Sequence, residues 1–266
     1  MMKDDLTDAE FWSSMHSNKN MDEGRVSAWF RNKIHWKYDR MICRMLDAVG
    51  KGEADIVELG CAPGTILERI HRLRPQCRLA GVDFSEDGID ITKKRLGALG
   101  IDADIHCGDF RTVRLPKQYD VAVSFGLIEH FDNPVEILEY HKNLVTPGGL
   151  VAVSVPNFSP PVVQNLLRRF DSDILGTHNL TIMNEKALAR ALELCGLEDI
   201  LVGGSGGPRL YFEARKPRLD FHLYHLAART WNILAAVSPD VFWRAHIWGI
   251  GRVQGEKTST GLATEA

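Results

Sequence analysis

Asp55-Ile56-Val57-Glu58-Leu59-Gly60-Cys61-Ala62-Pro63-Gly64-Thr65 is the stretch whose reading decides the fold. A β-branched apolar run ends in an acid, and a turn of small residues follows at once. Behind the turn, Ile66, Ile70 and Leu73 fall on one face of a helix. Gly60, Ala62 and Gly64 leave no bulk in the turn, so backbone can approach a ligand closely. The helix behind it offers unpaired N–H groups at its N-terminus. Glu58 puts a carboxylate at the strand end, where it repels a pyrophosphate and welcomes a cationic amino-acid group. The segment points to a nucleoside ligand, and to a sulfonium nucleoside more than to NAD.

Outward from this unit, strands and helices alternate. The pattern predicts strands over 55–59, 78–83, 103–107, 119–125, 150–155 and 197–202. It predicts helices over 65–74, 85–99, 134–145 and 184–195, with Ser85 as a cap and Gly100 and Gly196 as stops. Thr146-Pro147-Gly148-Gly149 reads as a tight turn, and 150–155 as a buried parallel strand. Gly203-Gly204-Ser205-Gly206-Gly207-Pro208 reads as a flexible joint, and 245–253 as a last strand, expected to be antiparallel. The expected fold class is α/β, a doubly wound, seven-stranded mixed sheet with helices on both faces.

This divides the chain into an N-terminal helical cap (1–48), a core (49–207), a helical insertion or lid (208–244), the last core strand (245–253) and a disordered tail (254–266). In the cap, Trp29, Phe30, Ile34, Tyr38, Met41 and Met45 recur at helical spacing, as a packing helix or a cleft cover would. The insertion carries Leu223, Leu226, Trp231, Ile233 and Leu234 beside His222, His225 and Arg229. Such a segment suits a lid, a partner face that would make a homodimer, or a membrane surface.

Bulk properties narrow the partners. The 266 residues carry 44% hydrophobic and 25% charged side chains with a net charge of −3, ordinary for a globular protein and without a basic field for nucleic acid. Cys43, Cys61, Cys77, Cys107 and Cys195 are scattered and odd in number, which suits a reducing, cytoplasmic compartment. Met1-Met2-Lys3-Asp4-Asp5-Leu6 is acidic and reads as no signal peptide. No window reaches the roughly 18 uninterrupted apolar residues of a membrane span.

Three further motifs follow at strand ends. Asp83 closes the second strand, 19 residues after Gly64, where an acid accepts hydrogen bonds from ribose hydroxyls. Gly108-Asp109-Phe110 follows the third strand; an Asp there can accept from an adenine amino group while Phe110 packs on a ring face, although Gly-Asp is also a common turn. Ser124-Phe125-Gly126-Leu127-Ile128-Glu129-His130-Phe131 ends the fourth, placing Glu129 and His130 near chemistry unless they only cap the next helix.

This ordered set, together with Thr146-Pro147-Gly148-Gly149, resembles the class I S-adenosyl-L-methionine-dependent methyltransferases over residues 54–203, and within them the small-molecule type, including the ubiquinone-biosynthesis O-methyltransferase group. The resemblance implies that Glu58 and Gly60, Cys61, Ala62, Pro63 and Gly64 hold the methionine end. It implies that Asp83 binds ribose, that Asp109 and Phe110 hold adenine, and that Phe84, Cys107, Gly108, Ser124, Phe125 and Gly126 belong to the same cofactor site. It implies methyl transfer to oxygen or nitrogen of a small molecule, a natural-product intermediate or a sugar. The sequence departs from the family twice. Ala62 stands where Gly is usual, tolerable if its φ is negative. The ubiquinone group links a Glu-x-x-Glu-His pattern to a divalent metal, and Gly126 stands at its first Glu, so no metal is expected.

The acceptor side rests on Val155-Pro156-Asn157-Phe158 and His178-Asn179-Leu180. His178 can take a proton as the methyl arrives, its ordinary pKa suiting neutral pH, or it can be a loop histidine tied to backbone. His130 is the competing base, and Asn157 a candidate for orienting the acceptor. Other classes fit less well. A dehydrogenase fingerprint needs G-x-G-x-x-G, and here Thr65 follows Gly64. Enzymes that methylate base amines resemble [DN]-P-P-[YF] where this chain has Ser124-Phe125-Gly126-Leu127. A non-catalytic nucleoside-binding or membrane-associated protein remains the alternative for the 208–243 segment.

Overall fold

The computed structural model describes residues 6–7, 39, 41–50, 52–170, 172–206 and 244–255, with isolated positions 223, 226, 227, 230 and 231. Seven strands are β1 (Asp55–Leu59), β2 (Arg78–Asp83), β3 (Ala103–Cys107), β4 (Tyr119–Phe125), β5 (Val145–Pro156), β6 (Glu198–Ser205) and β7 (His246–Arg252). Between them run α1 (Thr65–Leu73), α2 (Glu86–Ala98), a single 3-10 turn Ile128–His130, α3 (Pro134–Asn143), α4 (Pro161–Phe170), α5 (Ser172–Gly176) and α6 (Glu185–Leu194). Residues 41–49 are also helical.

The strand order is β3-β2-β1-β4-β5-β7-β6. Neighbours from β3 to β5 are parallel, whereas β7 is antiparallel to both β5 and β6, as expected of the last strand. The chain leaves β1 toward β2 on one side and later returns to β4 on the other. This reversal opens a crevice at the carboxyl ends of β1 and β4.

Period-two alternation sorts the core. Ile56, Leu79, Val121, Val123, Leu150 and Ala152 pack against segment 41–49, α1 and α2. Val57, Leu59, Ala80, Val82, Ala122, Val151, Val153 and Val155 pack against α3, α4 and α6. Burying both faces explains why these strands read as near-continuous apolar runs.

Three expectations change. The joint at 203–205 is strand: Gly203 pairs with Trp248 and Gly204 with Ile247. The glycines are there for close packing, since a Cβ on Gly203 would lie 2.6 Å from the Trp248 ring. The turn at 146–149 is an irregularity inside β5, which pairs Val145 with Tyr119 and resumes at Leu150 opposite Val121. Residues 161–170 and 172–176, given no element by the sequence pattern, are helical and bury Val163, Leu167 and Ile174. The cap reading for 1–48 is described only at Leu6, Thr7, Asp39 and 41–48, and the lid reading of 208–244 and the disordered tail lie largely outside the described residues.

At the opposite end of the sheet, Asp55 receives Arg78 in two-pronged fashion, Nε to Oδ1 and Nη2 to Oδ2, both 2.8 Å, and pairs with Lys117. The Arg78 hydrogen bonds lead in holding the Asp55 carboxyl down at about 2, against burial and with help from Lys117. Because the folded pKa lies below the unfolded one, this stabilisation is present above about pH 4 and is lost as the pH falls toward 2. Asp55→Asn is expected to lower the melting temperature by a few degrees at pH 7, the pair being partly solvent-screened, and by much less at pH 2. Equal losses at the two pH values in thermal denaturation would remove the ion pair as the cause.

Candidate functional site

The turn after β1 is held over the end of β2. Gly60 N and Cys61 N both donate to Val82 O, at 2.8 and 3.1 Å. Asp83 then locks the turn: its Oδ2 accepts from Ala62 N and its Oδ1 from Ser85 N, each at 3.0 Å. Ser85 Oγ caps α2 by accepting from Gly88 N. One buried carboxylate thus joins the glycine turn to the start of the second helix. Gly60 and Gly64 have φ of 72° and 82°, where a Cβ is disfavoured. Among the described residues Asp199 is the non-glycine with positive φ, so Ala62 meets the condition for replacing glycine.

Glu58 is 2% exposed, and its Oε2 has no hydrogen-bond partner among the described residues. Burial pushes its pKa well up, the nearby Asp83 charge adds to this, and a hydrogen bond from the Leu67 backbone opposes it. A buried carboxylate of this kind favours a cation brought by a ligand. Of the rim, Cys107 is exposed, and Phe84, 37% exposed, offers an open aromatic face at the end of β2.

Asp109 differs from its expected part. Arg111 grips it, Nε to Oδ1 at 2.9 Å and Nη2 to Oδ2 at 2.6 Å, and Arg111 N adds a bond of 2.9 Å to Oδ1. Burial raises the Asp109 pKa, but the Arg111 bonds outweigh it and hold it low. Arg111 also lies over Phe131, 5.6 Å from the ring centre. Sequence reading missed it, although an Arg two residues after an Asp in a turn is a readable ion-pair signal. Phe110 makes edge contacts with Phe131 and Tyr140, each at 5.9 Å between ring centres, so its ring is engaged by protein.

The Ser124 hydroxyl is engaged by protein. His141 Nδ1 donates to Ile137 O at 2.8 Å, leaving Nε2 to accept from the Ser124 hydroxyl at 2.9 Å. The Ser124 side chain therefore serves the β4–α3 packing. Phe125 lines a small apolar cavity with Met41, Ile42, Met45 and Trp248. Gly126, φ 69°, donates its N–H to Ser154 O. Asn157 is occupied structurally: Nδ2 donates to Arg244 O, and Oδ1 accepts from Ser159 N and Oγ.

Beyond β4 the fold brings together residues far apart in sequence. Asn179 N donates to Glu129 O at 2.6 Å, and Asn179 Nδ2 donates to Phe131 O and Asp132 O, both at 3.1 Å. These bonds stitch segment 177–179 to segment 129–132. His130 and His178 then lie 4.4 Å apart between ring centres, and Phe158 flanks His178 at 5.2 Å. His130 Nδ1 donates to Thr177 O at 2.8 Å and His178 Nδ1 to Ile174 O at 2.6 Å. Both rings are neutral. Burial first, then His178, pushes the His130 pKa down to about 3, and burial pushes that of His178 down to about 4. The neutral-pH base expected at His178 is thus a weak base. Glu129 is fully buried and neither carboxylate oxygen has a partner among the described residues; burial raises its pKa to about 8, offset in part by its own backbone N–H. Leu6 N donates to His130 O, bringing an N-terminal residue against this cluster.

A family model described as "Methyltransferase domain" matches residues 30–202. The chain belongs to the methyltransferase domain family. It is 32% identical to a malonyl-[acyl-carrier protein] O-methyltransferase of Bacillus cereus over 31% of this chain and 30% of that one. It is 27% identical to a ubiquinone biosynthesis O-methyltransferase of Neisseria meningitidis over 56% of this chain and 68% of that one. The chain spans only 30% and 45% of the length of the first two curated relatives it matches. Among solved structures, the plantazolicin methyltransferase BpumL with a triazolic desmethylPZN analog and SAH aligns at TM-score 0.57 and 18% identity, covering 94% of this chain and 98% of that one. The [4+2]-cyclase SpnF aligns at TM-score 0.55 and 14% identity over 82% of this chain and 81% of that one. These likenesses establish the fold; chemistry has to be argued from the site.

Glu58→Gln tests the buried carboxylate. Its raised folded pKa means that its contribution is complete below the unfolded value near 4.5 and is lost as the pH rises. The ligand-free variant is expected to melt a few degrees above the parent at pH 8 and level with it near pH 4. Thermal melts at the two pH values check this, and a lower melting point at pH 8 would refute it.

Proposed function

We propose that this chain is an S-adenosyl-L-methionine-dependent methyltransferase acting on oxygen or nitrogen of a small molecule. The observation that carries the reading is the orphaned, buried Glu58 Oε2 at the carboxyl end of β1, beside a glycine turn at a strand-order reversal. The ammonium of a methionine moiety fits that carboxylate in charge and size. Gly60–Gly64 gives the close backbone approach, and the N-terminus of α1 suits the moiety's carboxylate. Asp83, although tied to two backbone N–H groups, is a carboxylate with capacity for the ribose hydroxyls as well. Phe84 offers its face to adenine, and Asp109 reaches the adenine amino group only by sharing or releasing Arg111.

Bound there, S-adenosyl-L-methionine supplies an electrophilic sulfonium methyl. The chain's own work is alignment and water exclusion. Phe125 and Gly126 would form the floor beneath the reacting atoms. Glu129, His130 and His178 would face the acceptor, whose specific chemistry their cluster sets. No helix among the described residues is long and apolar enough to cross a membrane. Five free cysteines support a reducing, cytoplasmic setting, and the aromatic insertion supports a homodimer.

Calorimetric titration with S-adenosylmethionine, S-adenosylhomocysteine and NAD tests the reading. Both sulfur nucleosides are expected to bind and NAD not to. Asp83→Asn should weaken S-adenosylhomocysteine by about tenfold or more, ~1.4 kcal/mol, with a cooperative melt retained. Absence of sulfur-nucleoside binding by the unaltered chain would overturn the proposal.

A further inference from the structure

We propose that Glu129, His130 and His178 form a site for a divalent transition metal of zinc's class. A Glu129 carboxylate oxygen and one nitrogen from each imidazole lie within 4.8 Å of one another, and all three residues are buried. Three features point to a cation rather than to a packed polar knot. Both Glu129 oxygens are buried without a partner among the described residues, which is costly for a carboxylate that meets no counter-charge. Each histidine gives its Nδ1 proton to a backbone carbonyl, so the lone pair of each ring sits on Nε2. That outer hydrogen bond is the arrangement that orients metal-bound imidazoles and fixes their tautomer. The two ligand segments are cross-linked by the Asn179 bonds, so the donors are held before any ion arrives.

The ligand set chooses the ion. Two nitrogens and one carboxylate suit zinc, iron(II), cobalt(II) or manganese(II), whereas magnesium and calcium prefer oxygen donors. Bonds of about 2.0–2.2 Å require the three donors to draw together by roughly 1 Å, a side-chain adjustment. The set differs from the Glu-x-x-Glu-His pattern of the ubiquinone group, because Gly126 offers no ligand and His178 arrives from another segment. Three protein ligands leave a position open. Resting on the methyltransferase reading, that position assigns an oxygen-bearing acceptor, whose coordinated hydroxyl would be more acidic than in water.

The test uses the full chain stripped with chelator and titrated with cobalt(II), read by visible absorption. One equivalent should give a saturable d–d band of a four- or five-coordinate site, which zinc(II) abolishes and magnesium(II) does not. His178→Ala, His178→Gln and Glu129→Gln should each weaken cobalt binding by about tenfold or more while S-adenosylhomocysteine binding persists, showing that each variant is folded. A spectrum of hexaaquo cobalt alone, or saturable binding that these substitutions leave unchanged, overturns the metal site. Metal binding without any S-adenosylhomocysteine binding in the unaltered chain would instead overturn the methyltransferase reading and keep the metal site.

Discussion

The constraint on which the rest depends is the placement of β1 between β2 and β4. Parallel pairing on both sides forces successive crossovers to leave β1 in opposite directions, and the gap between them cannot be filled by either set of helices. Glu58 on β1, Asp83 on β2, Asp109 after β3 and Glu129 after β4 all stand at that carboxyl edge. The ion-pair network around Asp55 and the apolar faces of the sheet serve to keep this edge in register.

Two buried carboxylates give the edge its electrostatic character. Glu58 and Glu129 are each almost completely buried; one oxygen of Glu58 and both of Glu129 lack a hydrogen-bond partner among the described residues. A stable fold usually satisfies such groups. One sits on β1 beside the glycine turn, the other after β4 beside two imidazoles. Asp83 shows a contrasting arrangement, a buried carboxylate whose two oxygens each accept from a backbone N–H. The cleft therefore separates a carboxylate bonded to backbone from two whose oxygens lack partners among the described residues.

Much of this was legible in order along the chain. The strand–turn–helix around Gly60–Gly64, the acid at 83 and the apolar runs of β4 and β5 follow from local periodicity and glycine chemistry. Side-chain partners were less legible than elements. Arg111, only two positions on, grips Asp109. The Ser124 hydroxyl meets His141, 17 positions away. Gly203 and Gly204 lie in a strand because what they accommodate, the Trp248 ring and the Arg244 side chain, lies some 40 residues further on.

By itself, the sequence determined the α/β class, the sheet with its antiparallel last strand and the nucleoside side of the cleft. Those properties depend on patterns within one element and the next, which neighbouring residues encode. Only the tertiary structure decided the acceptor side. His130 and His178 are separated by three helices, one strand and 48 positions, and no local pattern pairs them. Their meeting is set by Asn179 bridging to the loop after β4, and their neutrality by burial, a property of the packed whole rather than of any segment.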